Sequence, residues 1–283
     1  YGLHAPGAPF FPFTVTAEGN IVTALDEQRV DPATQDDPQW HWTHIFRHGV
    51  GPYRPETDSG WEGVKALVMY RFREQELLIR FQDNRDPNTT PITVSPTDPV
   101  VTIQGVDRCV VRGLAIRNGA KGVYIENSLG SVVEQCTIGP ADFGVMLRKG
   151  ADRCTVRFNE IFMDPFAGAS PKLKASWSNW EAMKTGGFAD RDGILMLVTK
   201  GGHQIHDNYI HDHWDGIEDW ITGAWQPGSS SEEAGCDHNL NIHHNLISNI
   251  SDDGLEPNGE EVNCRWHDNI VEGCICGFRI KAP

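Results

Sequence analysis

A chain of 283 residues is long enough for one large domain or two small ones. Its 24 Lys and Arg against 39 Asp and Glu give a formal net charge of −15. That argues against nucleic acid, where basic groups at phosphates carry the affinity, and against an anionic membrane surface. A hydrophobic content of 39% excludes a disordered chain, and no run of 18 apolar residues is present to span a membrane.

The chain opens Tyr1-Gly2-Leu3-His4 with no initiator Met and no signal peptide. The expectation is a mature or trimmed protein whose address is lost. Seven Cys, an odd number without a CxxC pair, exclude a full disulfide framework and a zinc knuckle. Residues 1–97 read as a β-rich cap. Val64–Tyr70 and Glu76–Phe81 form a strand pair around a charged turn, and Asp86–Pro91 is a turn-rich link. Trp40, His41, Trp42, His44 and His48 crowd together as cap packing.

From residue 98 the chain repeats. Val111–Ile116, Val133–Ile138, Val156–Ile161, Ile205–Ile210, Ile242–Ile247 and Trp266–Val271 align as an apolar residue, four others and an apolar residue. Asn159, Asn208, Asn245 and Asn269 fall at one place in the last four. A further strand signal follows each segment, beginning at Gly122, Gly144, Gly193, Gly216, Gly254 and Gly277. The step from the Ile column to that strand is 7 at 116→123, 138→145, 210→217 and 271→278, and 8 at 247→255. Six coils of about 22 or 23 residues therefore carry two insertions, near 163–190 and 222–237. A unit of three short strands cannot bury its apolar side alone and must stack, so the fold class expected is all-β, a parallel β-helix. The Asn column predicts a ladder of side chains at one bend, or a residue type that merely tolerates a left-handed turn. The last residues, Phe278–Pro283, read as a strand, and the expectation is that the natural protein continues.

Strand alternation points the second residue after each Gly outward: Tyr124, Met146, Leu195, Glu218, Glu256 and Arg279. Glu126, Arg148, Leu197, Trp220, Asn258 and Lys281 follow on the same face, and Lys121, Phe143, Asp192, Asp215, Asp253 and Cys276 precede each Gly. The last coils thus gather Asp215, Glu218, Asp252, Asp253, Glu256, Arg279 and Lys281. Carboxylates so close raise one another's pKa, as a neutral-pH proton donor requires. Asp215, Glu218, Asp253 and Glu256 are candidate acids and bases for glycosidic cleavage, and His211 or His213, in the approach to Asp215, is a further acid or base. Asp215, Asp253 and Glu256 also suit Ca²⁺, which takes carboxylate oxygens. The insertions flank this strand and read as walls of a groove. Trp177, Trp180, Trp214, Trp220 and Trp225 lie on or beside them as sugar platforms, with Asn258 as a further substrate contact. His206, His243 and His267 form a separate column, either a transition-metal site or simply polar surface.

Over about residues 98–283 this pattern resembles the right-handed parallel β-helix, or pectin-lyase-like, superfamily. Its members include polysaccharide lyases, polygalacturonases, esterases, epimerases and phage tailspikes. In its lyases a metal neutralises a uronate carboxylate while an Arg or Lys abstracts the proton, roles that Arg279 and Lys281 would take. Asp215-Gly216, Asp252-Asp253-Gly254 and Arg279-Ile280-Lys281 follow the layout of polygalacturonases, without their Gly-His-Gly coil. The resemblance implies a carbohydrate-active enzyme, secreted or periplasmic, cutting a polysaccharide. Hydrolysis is favoured because carboxylates outnumber the basic groups that elimination needs. The alternatives are a Ca²⁺-dependent lyase and a non-catalytic glycan-binding or structural β-helix.

Overall fold

The computed structural model describes residues 2–4, 14–17, 20–22, 66–71, 76–81, 83–95, 99–163, 191–220, 238–258 and 261–280. Both insertions, the Trp40–His48 cluster, Trp177, Trp180, Trp225 and Lys281 lie outside the described residues. The chain divides into two compact units, Tyr1–Thr97 with Pro165–Ala189, and Asp98–Asp164 with Asp190–Pro283.

In the first unit, β1 (Gly2–His4), β2 (Thr14–Ala17), β3 (Asn20–Val22), β4 (Ala66–Arg71), β5 (Glu76–Phe81) and β6 (Ile92–Ser95) build two antiparallel three-stranded sheets, ordered β1-β5-β4 and β3-β2-β6. The expected strand pair is β4 and β5, in register from Ala66↔Phe81 to Arg71↔Glu76. In the Asp86–Pro91 link a single 3₁₀ turn spans Pro87–Thr89, and Asp86 caps it by accepting the Asn88 N–H.

The second unit is a right-handed parallel β-helix. Its first coil is β7 (Pro99–Gln104), β8 (Val110–Arg112) and β9 (Ala115–Ile116); the second is β10 (Gly119–Glu126), β11 (Val132–Glu134) and β12 (Thr137–Ile138). The third is β13 (Ala141–Arg148), β14 (Thr155–Arg157) and β15 (Glu160–Phe162), and the fourth β16 (Asp192–Leu197), β17 (Gln204–His206) and β18 (Tyr209–His211). The fifth is β19 (Asp215–Trp220), β20 (Asn241–His243) and β21 (Leu246–Ser248); the sixth is β22 (Asp253–Asn258), β23 (Arg265–His267) and β24 (Ile270–Glu272), followed by β25 (Cys276–Phe278). Each coil contributes one strand to each of three sheets, with seven strands in the first and six in each of the others.

The inter-coil pairing reproduces the sequence columns residue for residue. Val123, Val145, Ile194, Ile217 and Leu255 stack through the first sheet. Val111, Val133, Val156, Ile205 and Ile242 stack through the second, and Ile116, Ile138, Ile161, Ile210 and Ile247 through the third. These three columns are one buried core. None of them buries its apolar side without the coil above and below, so stability resides in nearest-neighbour stacking.

Two further columns lock the stack. The asparagines form the expected ladder. Asn159 Nδ2 donates to Asn208 Oδ1 at 3.0 Å, Asn208 Nδ2 to Asn245 Oδ1 at 2.9 Å, and Asn245 Nδ2 to Asn269 Oδ1 at 2.9 Å. Each of these Oδ1 atoms also accepts the backbone N–H of the preceding coil's Asn. The left-handed residue is the one before each Asn: Phe158, Asp207, His244 and Asp268 have φ of 54–55°. Asn is therefore selected for its amide rather than for tolerance of the bend. The glycine column has a different cause. A Cβ on Gly193 would run into Ile210 Cγ2 of its own coil and lie 2.7 Å from Gly216 O of the next, so neither the coil interior nor the adjacent coil leaves room for a side chain there. The six described cysteines are free thiols.

Candidate functional site

The outward face of the first sheet changes character along the stack. On the third and fourth coils Met146, Leu195 and Leu197 form a second apolar cluster, with Tyr124, Phe143 and Val198 packed against it. On the fifth and sixth coils the same columns become acidic. Asp192 pairs in register with Asp215, Leu195 with Glu218, and Glu218 with Glu256. Alternation thus faces Leu195, Glu218 and Glu256 outward, as expected, while Asp192 and Asp215 stand before the glycine at the start of the strand. The whole acidic cluster is withdrawn from solvent: Asp192, Asp215, Glu218, Asp252, Asp253 and Glu256 are all buried, none above 8%.

This arrangement brings together Asp215, Glu218, Asp253, Glu256, Asn258 and Arg279 from the sequence candidates. Asp215 Oδ1 accepts the Asp253 backbone N–H at 2.9 Å, a side chain standing in for a ladder carbonyl. Asn258 Nδ2 donates to Glu218 Oε1 at 2.9 Å. Arg279 lies 2.9 Å from Asp253 Oδ2 and 3.4 Å from Asp252 Oδ1. Arg191, next to Asp192, forms a close ion pair with Asp142.

Burial and crowding oppose ionisation. The pKa of Asp215 is pushed well above the usual carboxylate range by burial, then by the charges of Glu218, Glu256 and Asp252, against the Asp253 N–H. Asp253 is raised to about 6 by burial, Glu256 and Asp252, with the Arg279 guanidinium pulling the other way. The rise falls on the aspartates that precede the glycines, with burial as its largest cause and neighbouring carboxylates adding to it. For Arg279 burial disfavours the charge, but Asp253, Asp252 and Glu256 outweigh it, and the net pKa rises.

The oxygens converge in two sets: Asp192, Asp215 and Glu218 offer one ligand atom each within 4.8 Å of one another, and so do Asp215, Asp252 and Asp253. Asp253 Oδ1 is fully buried and has no hydrogen-bond partner among the described residues. A hard divalent cation fits such oxygen donors, and these are the residues that would hold it. Asp215 belongs to both sets, whereas the third expected ligand, Glu256, is in neither.

Two sequence candidates are corrected. His213 is completely buried, and burial lowers its pKa to about 3. It sits neutral at the corner between β18 and β19, and a pKa that low makes it a weak general base. Trp214 is 1% exposed and packs as core, not as a sugar platform, whereas Trp220 is 42% exposed beside Asn258 in the register. His211 ends β18 on the third sheet, with its Nδ1 at 2.7 Å from Asp212 Oδ2. Two residues were missed. Asp192 carries the same Asp-Gly signature as Asp215 and Asp253, a signal present in the sequence. Asp219 occupies an inward position, paired in register with Met196 and Pro257, and its carboxylate accepts the Asn258 N–H. An acidic residue on the apolar phase of the alternation is the signal that marks it.

Among the described residues no helix is long and apolar enough to cross a membrane. Compared with protein-family models and with curated protein sequences, the chain matches none.

Proposed function

We propose that this chain is a carbohydrate-active enzyme of the pectin-lyase-like superfamily that hydrolyses glycosidic bonds of a polysaccharide at the carboxylate face of its last coils. The observation that carries this reading is the buried stack of Asp215, Glu218, Asp253 and Glu256 on adjacent strands, with Arg279 as its counter-charge. Hydrolysis needs one carboxyl group that holds a proton at working pH and one that is ionised. Asp215 supplies the first, because burial and three neighbouring carboxylates keep its proton on. Asp253, with a pKa of about 6 and Arg279 against its Oδ2, is largely ionised at neutral pH and serves as base or nucleophile. Glu256 raises both; Glu218 beside Asp215 and Arg279 beside Asp253 are what separate the two. Asn258 and the exposed Trp220 offer a hydrogen-bond donor and an apolar ring face to the sugar at the edge of the same strands.

The two convergent oxygen sets favour a second reading, a Ca²⁺-dependent lyase. A bound cation would neutralise a uronate carboxylate, and Asp215 with Asp252 and Asp253, or with Asp192 and Glu218, would hold it. Elimination then needs a base. The raised pKa of Arg279 keeps its proton on, so it serves that role poorly, which leaves hydrolysis ahead.

Incubation with a panel of neutral and acidic polysaccharides, reading new reducing ends and the ultraviolet absorbance of unsaturated products, separates the readings. Reducing ends without that absorbance, unaffected by EDTA, are expected. Reducing ends with it, lost in EDTA and restored by Ca²⁺, assign the lyase. No product from any polymer overturns both.

A further inference from the structure

The histidine column breaks its own pattern at one coil. In β17 and β23 the outward His is followed at the bend by Asp, and imidazole meets carboxylate: His206 Nδ1 lies 2.6 Å from Asp207 Oδ2, and His267 Nδ1 lies 2.8 Å from Asp268 Oδ2. In β20 the outward residue is again His, but the bend residue is His244. The two Nδ1 atoms of His243 and His244 stand 2.7 Å apart. Asp207, His244 and Asp268 share φ of 54–55°, so the second imidazole takes the place that a carboxylate fills in the coils on either side.

A carboxylate is the natural acceptor for an imidazole N–H. A neutral imidazole in its place satisfies the first ring only if one Nδ1 carries a proton and the other a lone pair. With both rings protonated at Nε2, two lone pairs converge instead, which is the donor arrangement of a chelating pair. The surroundings hold that arrangement. His243 is stacked between His206, at 4.9 Å and 1° from parallel, and His267, at 5.2 Å and 13°. His244 stands edge-on to it, 86° from its plane. His267 is fixed on its far side by Asn241 Oδ1, 3.1 Å from Nε2. Asp207 and Asp268 flank the pair one coil away on each side, so a dication would sit between two carboxylates. His244 and both aspartates are exposed, which leaves the remaining coordination positions to water.

We propose that His243 and His244 form a two-nitrogen chelating site for a first-row transition-metal dication such as copper, nickel or zinc, on the second sheet and independent of the carboxylate face. Both rings bind through Nδ1 as the Nε2–H tautomer. A ring that starts with its proton on Nδ1 moves it to Nε2 through solvent, so no net proton is released from neutral rings. Imidazole nitrogen favours these metals over Ca²⁺ and Mg²⁺, which take oxygen.

The test titrates the full chain with Ni²⁺ by calorimetry in excess Ca²⁺ and Mg²⁺, and reads nitrogen coupling to bound Cu²⁺ by electron paramagnetic resonance. One equivalent of Ni²⁺ should bind, Cu²⁺ more tightly than Ni²⁺, with coupling from two imidazole nitrogens. His244→Asn keeps a residue that tolerates the left-handed bend and should weaken Ni²⁺ at least tenfold while removing one nitrogen coupling. His243→Gln should do the same from the other side of the pair. Asp215→Asn should leave Ni²⁺ binding unchanged. Absence of Ni²⁺ and Cu²⁺ binding, or binding that survives both histidine substitutions, overturns the proposal; loss in Asp215→Asn alone assigns the metal to the carboxylates.

Discussion

At Asp215 and Asp253 the surroundings, more than the residue type, set the chemistry. Both are aspartates before a glycine and both face the charges of Glu256 and Asp252, yet Arg279 lies against Asp253 while Asp215 faces Glu218 as well. Their folded pKa values are raised above the ordinary value of 3.8. The sign follows from linkage: the folded state holds these protons more tightly than the unfolded chain. Their contribution to stability is therefore fully present below about pH 4 and is lost as pH rises through about 6 for Asp253, and higher for Asp215. Glu126, Glu134 and Asp268 have lowered values and run the opposite way, so the clean measurement is a difference. In EDTA, Asp253→Asn should gain in melting temperature relative to the parent between pH 5 and pH 7. A difference that stays flat across that interval would show that Asp253 titrates normally. Which carboxylates gather here was legible from alternation, since Glu218 and Glu256 stand two residues beyond successive glycines. The roles of His213 and Trp214 were not. They lie at a corner, where period-two alternation no longer says which way a side chain points.

The elements owe their regularity to two columns that have nothing to do with a substrate. The Asn ladder satisfies buried backbone donors of one coil with the side chain of the next, and Asn208 sits in its middle, 2% exposed. Asn208→Ala should cost about 1–3 kcal/mol in a denaturant melt, because it strands buried partners on both neighbours. A loss below about 0.5 kcal/mol would mean that those groups find other partners. Gly193→Ala should destabilise by more than the intrinsic change in strand preference, because the new methyl meets backbone as well as Ile210. A melt unchanged from the parent would show that the coils can part locally. Both columns were visible as sequence spacing. What spacing could not give was their cause, since the residue in the left-handed bend is the neighbour of Asn and varies among Phe, Asp and His.

For the whole molecule, repetition made the fold readable and function hard to read. Six copies of one short unit specify the stack redundantly, so single exceptions such as Asp219 in an apolar column do not disturb it. Function sits in those exceptions. The acidic stretch of the first sheet stands out because the third and fourth coils put Met146, Leu195 and Leu197 at the same positions. A buried row of carboxylates is a cost to folding, and catalysis is the proposed reason it is kept. The most direct test compares kcat of Asp215→Asn and Asp253→Asn with the parent on the polysaccharide it cleaves fastest, with melting temperature as the folding control. Both substitutions keep the side-chain shape, and the amide oxygen introduced by Asp215→Asn would still accept the Asp253 N–H. The account predicts kcat lowered at least about a hundredfold in each with the fold intact. Turnover equal to the parent in both variants would contradict it and place the chemistry elsewhere on the β-helix.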